Sequence, residues 1–441
     1  VYVEKPPDTN FRDLFGGDTE KLIRAIGSDK PPGYVHWDKL RHLDPPGELT
    51  AEQWWWAIKV GRESLYRPLP MVDINGRAFT LTLPDGALRL LHFIDQRCSG
   101  EVAMAEVVTA DDQAQQHYLV NSLMEEATRS SQLEGATTTR RVAKELLRSG
   151  RTPRNRSERM ILNNYHALQF MRAEIGDTLT PALVLELQRI LTTGTIDPES
   201  AGRLQRPDEE RVAVFDRIDG SILHQPPPAD ELELRLQRLC DFANASESPE
   251  QFMHPVVRAI LIHFGLAYDH PFEDGNGRTA RALFYWSMRS QGYWLTEYLS
   301  ISSILRKAPG QYTRAFLLSE TDDGDTTYFV LYQLGVIKRA VDELHTYLRR
   351  KTKEVTEFER TIRRSADFNH RQLAVLSNAI RNPEQTYTFQ SHGVSHNITH
   401  ETARRDLLQL ADQGLLDRRT IQRRAVFRAP VDLAKKLTEG S

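Results

Sequence analysis

Cysteine is nearly absent from this 441-residue chain: Cys98 and Cys240 are the only two, far apart in sequence. That excludes a disulfide framework or a cysteine-rich zinc site, and makes a reducing cytoplasm the expected compartment. Long apolar runs are also missing. Nothing approaches the roughly 18 uncharged apolar residues of a membrane span, and no signal-peptide core follows the N-terminus, so no membrane partner is expected. The chain opens at Val1, which admits an initiator or leader upstream. Neither sign of charge dominates: 57 basic and 60 acidic side chains leave a formal charge of −3. This excludes a globally basic nucleic-acid coat but allows a local basic patch. With 40% hydrophobic and 27% charged residues the composition is that of an ordinary folded protein. At roughly 100–200 residues per domain, the length predicts two to four compact units.

What the chain has in plenty, early on, is chain-breaking residues. Pro6-Pro7, Gly16-Gly17, Pro31-Pro32-Gly33 and Pro45-Pro46-Gly47 predict an extended arm with short helices near 19–26 and 51–62. Three consecutive tryptophans, Trp54 to Trp56, cannot share one helical face, so at least one ring must pack on another segment. A β-hairpin is predicted over 71–83, with Asn75-Gly76 as a type I′ turn. From Pro84 onward the pattern is mostly α-helical, with helices near 85–97, 111–130, 136–149, 157–175 and 180–193. Residues 202–224 break it. Arg211–Phe215 and Ser221–His224 predict a small hairpin inserted between helices, and such insertions often serve ligands. Helices near 229–244, 255–268, 277–291, 309–320 and 326–362 follow.

The expected domains are an arm and hairpin over 1–110, helices over 111–156, a helical core with a connector over 157–362, and a C-terminal module over 369–441. In that module a helix near 370–382, a turn-containing stretch, a helix near 399–413 and a hairpin tipped by Arg418, Arg419, Arg423 and Arg424 give the layout of a winged helix-turn-helix. Residues 399–428 hold seven arginines against four acids. Thr399, His400, Thr402, Arg404 and Arg405 are placed to meet a DNA groove, with the wing arginines on phosphates. The same layout also serves protein docking or dimerisation.

The stretch that carries chemistry is His270-Pro-Phe-Glu-Asp-Gly-Asn-Gly-Arg-Thr-Ala-Arg281. An apolar helix ends at His270, and a new helix starts near Gly277 with its positive dipole end toward the intervening loop. Gly275 and Gly277 let backbone amides approach a phosphate, and Asn276 adds a neutral donor. Arg278 and Arg281, three apart, share a helix face suited to a polyphosphate. Asp274 is the kind of hard oxygen ligand Mg²⁺ takes beside phosphates. His270 titrates near neutrality and suits deprotonation of a hydroxyl. Each feature alone has a structural alternative: a turn, a cap or a solvated face. Phe272 is expected only to pin the loop. Together they describe a phosphoryl- or nucleotidyl-transfer site.

The segment His270–Arg281 resembles the signature His-x-Phe-x-Asp/Glu-Gly-Asn-Gly-Arg-x-x-Arg of Fic domains at every specified position, and the resemblance extends over about 157–335. It implies a Fic helical core in which the hairpin at 202–224 is the flap. It further implies a protein adenylyltransferase that moves AMP from ATP to a Ser, Thr or Tyr hydroxyl of a target protein. His270 would deprotonate that hydroxyl, and Asp274 would hold Mg²⁺. Gly275, Asn276 and Gly277 would stabilise the α-phosphate, with Arg278 on the β- and Arg281 on the γ-phosphate. Doc relatives, which transfer phosphate, carry lysine where this chain has Gly277. Of the two adjacent tyrosines that many relatives show at the adenine end, only Tyr312 is present, followed by Thr313; Asp269 stands where an apolar residue is common.

Ser130-Ser-Gln-Leu-Glu134-Gly135 resembles the Ser/Thr-x-x-x-Glu-Gly/Asn motif of the family's inhibitory helix, placed before the core as in class II. A glutamate on Arg281 would take the γ-phosphate's place. ATP would then bind with its α-phosphate out of line. Ser130 either bonds nearby or caps the helix. In relatives that remove AMP the same glutamate orients water, so brake and hydrolytic residue both stay open for Glu134. Relatives often dimerise, which makes a homodimer an expectation of the resemblance alone. The competing function is a DNA-binding regulator that uses the Fic pocket as a nucleotide sensor. The flap strand either pairs with a target segment or closes on its own core.

Overall fold

A computed structural model describes residues 1–8, 10–98, 112–174, 178–216, 219–246, 252–364, 368–381, 385–421, 424–430, 432, 433 and 436. The chain divides into two compact units, Val1–Ala103 with Leu119–Asp342, and Met104–Tyr118 with Glu343–Ser441.

The arm is folded. Helices α1 (Phe11–Phe15), α2 (Thr19–Ile26) and α3 (Trp37–Leu40) pack on α4 (Ala51–Glu63). Thr50 and Gln53 form a capping box at the start of α4. The tryptophan run explains how. Trp54 and Trp55 are buried with Val35, Trp37 and Leu40, while Trp56 meets Phe15 edge-on at 5.4 Å. Arm segments therefore cover the successive faces that three neighbouring rings present. Strands β1 (Arg67–Val72) and β2 (Ala78–Leu81) form an antiparallel hairpin. Its turn differs from the predicted two-residue type: Asp73 Oδ1 accepts the amides of Asn75 and Arg77, and only Gly76 takes a positive φ, of 76°. A side-chain acceptor thus replaces the left-handed pair.

Helices α5 (Asp85–Cys98), α6 (Asp112–Leu133), α7 (Arg140–Ser149), α8 (Arg156–Ala173) and α9 (Pro181–Thr192) follow. The inserted hairpin, β3 (Val214–Phe215) with β4 (Ile222–His224), is shorter than predicted, because Arg211 makes side-chain bonds at its base and Val212 and Ala213 stay outside the ladder. Then come α10 (Leu232–Asn244), α11 (Pro255–Asp269), α12 (Asn276–Ser290), α13 (Ile301–Lys307), α14 (Pro309–Thr321) and α15 (Thr327–Arg364). Helix α11 is buried on all sides because it runs through the core: Val256, Val257, Ile260, Leu261 and Phe264 have no exposed surface. Helix α13 was not predicted; Ser300 caps it through its side chain.

The second unit contains α16 (His370–Arg381), β5 (Thr386–Tyr387), α17 (Phe389–His396), α18 (His400–Asp412), β6 (Asp417–Ile421) and β7 (Arg424–Arg428). Its strands form a three-stranded antiparallel sheet in the order β5-β7-β6. Leu376, Leu407, Leu410 and Phe427 make its core. The predicted turn-containing stretch before α18 is mostly helix α17, started by Thr388 and ended by Asn397 in the left-handed region. Arg423, one of the predicted wing residues, lies outside the described residues.

Candidate active site

The site is the junction of α11 and α12. Helix α11 stops at His270, whose φ of 45° turns the chain sharply while its amide still donates to Leu266. A non-glycine residue in that region carries strain, here at a residue with chemical potential. The loop is then stapled. Asn276 accepts the Phe272 amide through Oδ1 at 2.9 Å and donates through Nδ2 to the Phe272 carbonyl at 2.7 Å. Phe272 itself is fully buried. Gly275, at φ 92°, opens α12, and a side chain there would press on Thr192.

The two arginines divide their work. Arg278 is fully buried and donates to the Leu191 carbonyl at 3.0 Å and to Asp274 Oδ1 at 2.8 Å. Asp274 Oδ2 accepts from Arg156 at 3.1 Å. Arg278 therefore fixes Asp274 and the loop from below. Arg281 faces the end of α6. It donates from Nε to Ser130 Oγ at 2.9 Å and from NH2 to the Ser130 carbonyl at 3.2 Å and to Glu134 Oε1 at 2.7 Å. A methyl group added at Gly277 would lie 2.3 Å from Glu134 Oε1. The carboxylate thus rests on Gly277, in the first turn of α12. Burial opposes the charge on Arg281, yet Glu134 holds its pKa above the usual guanidinium value.

Burial lowers the His270 pKa to about 4, and His224 on β4 pushes it in the same direction. His224 is 2.8 Å from Glu320 Oε2 through Nδ1 and 2.6 Å from the Tyr268 carbonyl through Nε2. Both partners are acceptors, which favours a ring protonated on both nitrogens. Burial works against that charge, but Glu320 raises the His224 pKa on balance. His224 in turn helps to hold His270 toward its neutral form. Arg211, at the root of the flap, donates to the carbonyls of Asp269 and His270 at 2.8 and 3.1 Å and holds the backbone that carries the base. Asp269 pairs with Arg235 at 3.2 Å, and Arg235 also donates to the carbonyls of Val72 and Asp73. The departure at Asp269 thus ties the motif to the first hairpin. Neither His224 nor Arg211 was singled out from sequence, because partners 44 and 59 positions away leave no local spacing signal.

The structure brings together Ser130, Glu134, Gly277 and Arg281, and separately Asp274 with Arg278. Tyr312 is half-buried, its hydroxyl 2.7 Å from His263 Nε2. Arg281 and Glu134 both act on its phenol, which puts it at the guanidinium end of the site. Among the described residues no group of three or more His, Cys, Asp or Glu side chains is set to hold a metal unaided. A single part-exposed carboxylate fits Mg²⁺ that takes its other ligands from phosphates and water. On the flap, Phe215 and Ile222 pair across the strands and are 54% and 59% exposed.

Residues 178–288 match the family model described as Fic/DOC family. A protein adenylyltransferase Fic of Drosophila grimshawi is 34% identical over 129 residues, which cover 29% of this chain and 24% of that protein. One of Nematostella vectensis is 26% identical over 185 residues, covering 41% and 38% respectively. The chain therefore spans well under half the length of these curated relatives. A crystal structure of a Fic family protein from Desulfovibrio desulfuricans G20 superposes with a TM-score of 0.52 at 19% identity, covering 79% of this chain and 97% of that one. The fold is shared, and the motif just described falls within the matched stretch: the chain carries a Fic/DOC domain.

Proposed function

We propose that the protein is an adenylyltransferase that moves AMP from ATP to a Ser, Thr or Tyr hydroxyl of a target protein, and that Glu134 restrains it. One observation carries the reading: an anion, the protein's own Glu134 carboxylate, already sits on Gly277 and Arg281 at the start of α12. A site that holds a carboxylate through a buried guanidinium and a helix amino end suits a terminal phosphate. On this reading ATP and Glu134 compete for Arg281.

In the reaction His270 takes the proton of the target hydroxyl. The oxygen attacks the α-phosphorus, a new O–P bond forms, and the bond to the bridging α,β oxygen breaks with release of pyrophosphate. The amides of Gly275 and Gly277 face the charge that develops on the α-phosphate, and Asn276 keeps the loop that presents them. Arg278 acts on the β-phosphate side by holding Asp274. Tyr312, expected at the adenine end, stands instead beside Arg281 with its hydroxyl at His263. Asp274 would hold Mg²⁺, which would supply neutralisation of phosphate charge. Phe215 and Ile222 offer an apolar edge to a target segment. Removal of AMP by water oriented on Glu134 belongs to the same site, and a homodimer rests on the resemblance alone. Cys98 and Cys240 are buried free thiols, in keeping with the cytoplasm. Among the described residues no helix is long and apolar enough to cross a membrane.

A second reading, a DNA-binding regulator, is favoured by α18, where Thr399, His400, Arg404 and Arg405 are exposed next to a β-hairpin. On that reading residues 399–428 act as a winged helix-turn-helix. The test is ATP labelled at either end. Glu134→Gly protein should acquire α-phosphate label and no γ-phosphate label, and His270→Ala in that background should remove it. If the Glu134→Gly protein stays unlabelled while binding duplex DNA with a steep salt dependence, the regulator reading replaces the enzyme.

A further inference from the structure

Four residues before Ser130 and eight before Glu134, on the same face of α6, lies Glu126. It is buried, at 2% exposure. Its Oε1 accepts from Ser302 Oγ at 2.5 Å, and its Oε2 accepts from Ser300 Oγ at 2.8 Å and from the Ser302 amide at 3.2 Å. Tyr285 stands next to it, one helical turn beyond Arg281 on α12, and joins the same segment: its hydroxyl donates to the Leu299 carbonyl and accepts the Ile301 amide. So Glu126 and Ser130 on α6, and Glu134 one residue past its end, are all bonded to the same body. Glu134 and Ser130 hold Arg281, while Glu126 holds the start of α13.

A buried carboxylate is costly to desolvate, and burial raises the Glu126 pKa accordingly. Three donors aimed at two oxygens are what such a site needs to keep it. An apolar residue would fill that space without the cost, so the arrangement calls for a reason beyond packing. The spacing supplies one. At 1.5 Å per residue, Glu126 lies about 12 Å up the helix from Glu134. Ser122 and Ser131 also tie α6, to the Tyr298 and Met160 carbonyls; Glu126, between them and about 12 Å from Glu134, adds the tie toward α13. Beside Glu126 lies a small pocket lined by Leu123, Met171, Arg172, Tyr285, Trp286 and Arg289.

We propose that Glu126 is the latch of the restraint: a positioning residue that holds α6 against α13 so that the Glu134 carboxylate reaches Arg281. Its bonds go to Ser300 and Ser302, and the proposal rests on the adenylyltransferase reading above. Glu126 also raises the Arg281 pKa, as a weaker neighbour than Glu134; as a latch it works through Glu134, so the larger part of its effect needs Glu134. The same logic makes Ser302 the partner whose hydroxyl closes the latch.

The experiment is a double-mutant cycle on the full chain, read as transfer of α-phosphate label from ATP. Glu126→Gln keeps the shape but puts an amide donor where one of the two acceptor oxygens stood, so the carboxylate's full set of accepted bonds from Ser300 and Ser302 is lost. It should raise labelling at least about fivefold over the native protein. In a Glu134→Gly background the same change should alter labelling by less than about twofold. Ser302→Ala should act in the same direction in the native background, and it serves in place of Glu126→Gln if that variant does not fold. Hydrogen exchange in residues 127–135 should quicken in Glu126→Gln protein. Loss of labelling in both backgrounds, or a rise that persists without Glu134, overturns the latch. If Glu134→Gly alone gives no labelling, it is the adenylyltransferase reading that fails, whatever Glu126 does.

Discussion

Residue by residue, the site rests on which charges are allowed to be exposed. Arg281 is almost wholly buried and bonded to Ser130 and Glu134. A guanidinium so placed cannot remain without an anion at small cost, so whatever displaces Glu134 must itself bring negative charge. Glu134→Gly should raise AMP transfer about 10- to 100-fold, the range of a coupling of about 1–3 kcal/mol, measured as initial rate of labelling. Gly277→Ala makes a contrasting case. Its methyl would drive Glu134 away but would also fill the phosphate seat, so it should fail to label even in the Glu134→Gly background. His270, with its pKa lowered to about 4 by burial and by His224, is neutral across the physiological range. Protonation as pH falls through that value removes the base, so labelling should decline near pH 4 and show no step near 6.5. A His224→Gln variant should move that limb upward, because it removes the neighbouring cation.

At the scale of elements, the helical frame and the two motifs were legible in the sequence, and the ends and bonds were not. Helix α11 was readable because nearly every residue from Val256 to Leu266 is apolar, and the loop because its glycines and prolines stop helices. The turn at Asp73 was misread because the Asn75-Gly76 signal ignores an aspartate two residues earlier that can take both amides. Helices α13 and α17 were missed because seven or eight residues give too little periodicity to register. Long-range partners such as Arg211 with His270, or Glu126 with Ser302, leave no pattern in a single sequence. Arg211 gives an element-scale prediction. Arg211→Ala should free the flap root and lower labelling in the Glu134→Gly background more than about tenfold, since a small misplacement of a base is costly. Phe215→Asp should instead spare nucleotide binding, read by calorimetry, and weaken labelling of target protein.

Taken as a whole molecule, the chain joins a Fic/DOC domain to a second unit with its own core. In that unit Asp406, on α18, accepts from Asn369 and Arg371 and lies 3.3 Å from His392 Nε2. Asp406→Ala leaves Arg371 and His392 without their shared acceptor, and the unit should lose about 3 kcal/mol of stability, read by thermal unfolding of the full chain. If residues 399–428 bind DNA, replacing Arg404 and Arg405 by alanine should lower the slope of affinity against salt by about 2. For the first unit, intact-mass spectrometry after incubation with ATP and Mg²⁺ reads the transferred group itself. Native protein should gain little, Glu134→Gly protein should gain the mass of AMP, and Glu134→Gly with His270→Ala should gain none. A mass gain of phosphate in place of AMP, or an AMP gain that survives loss of His270, would refute AMP transfer through His270.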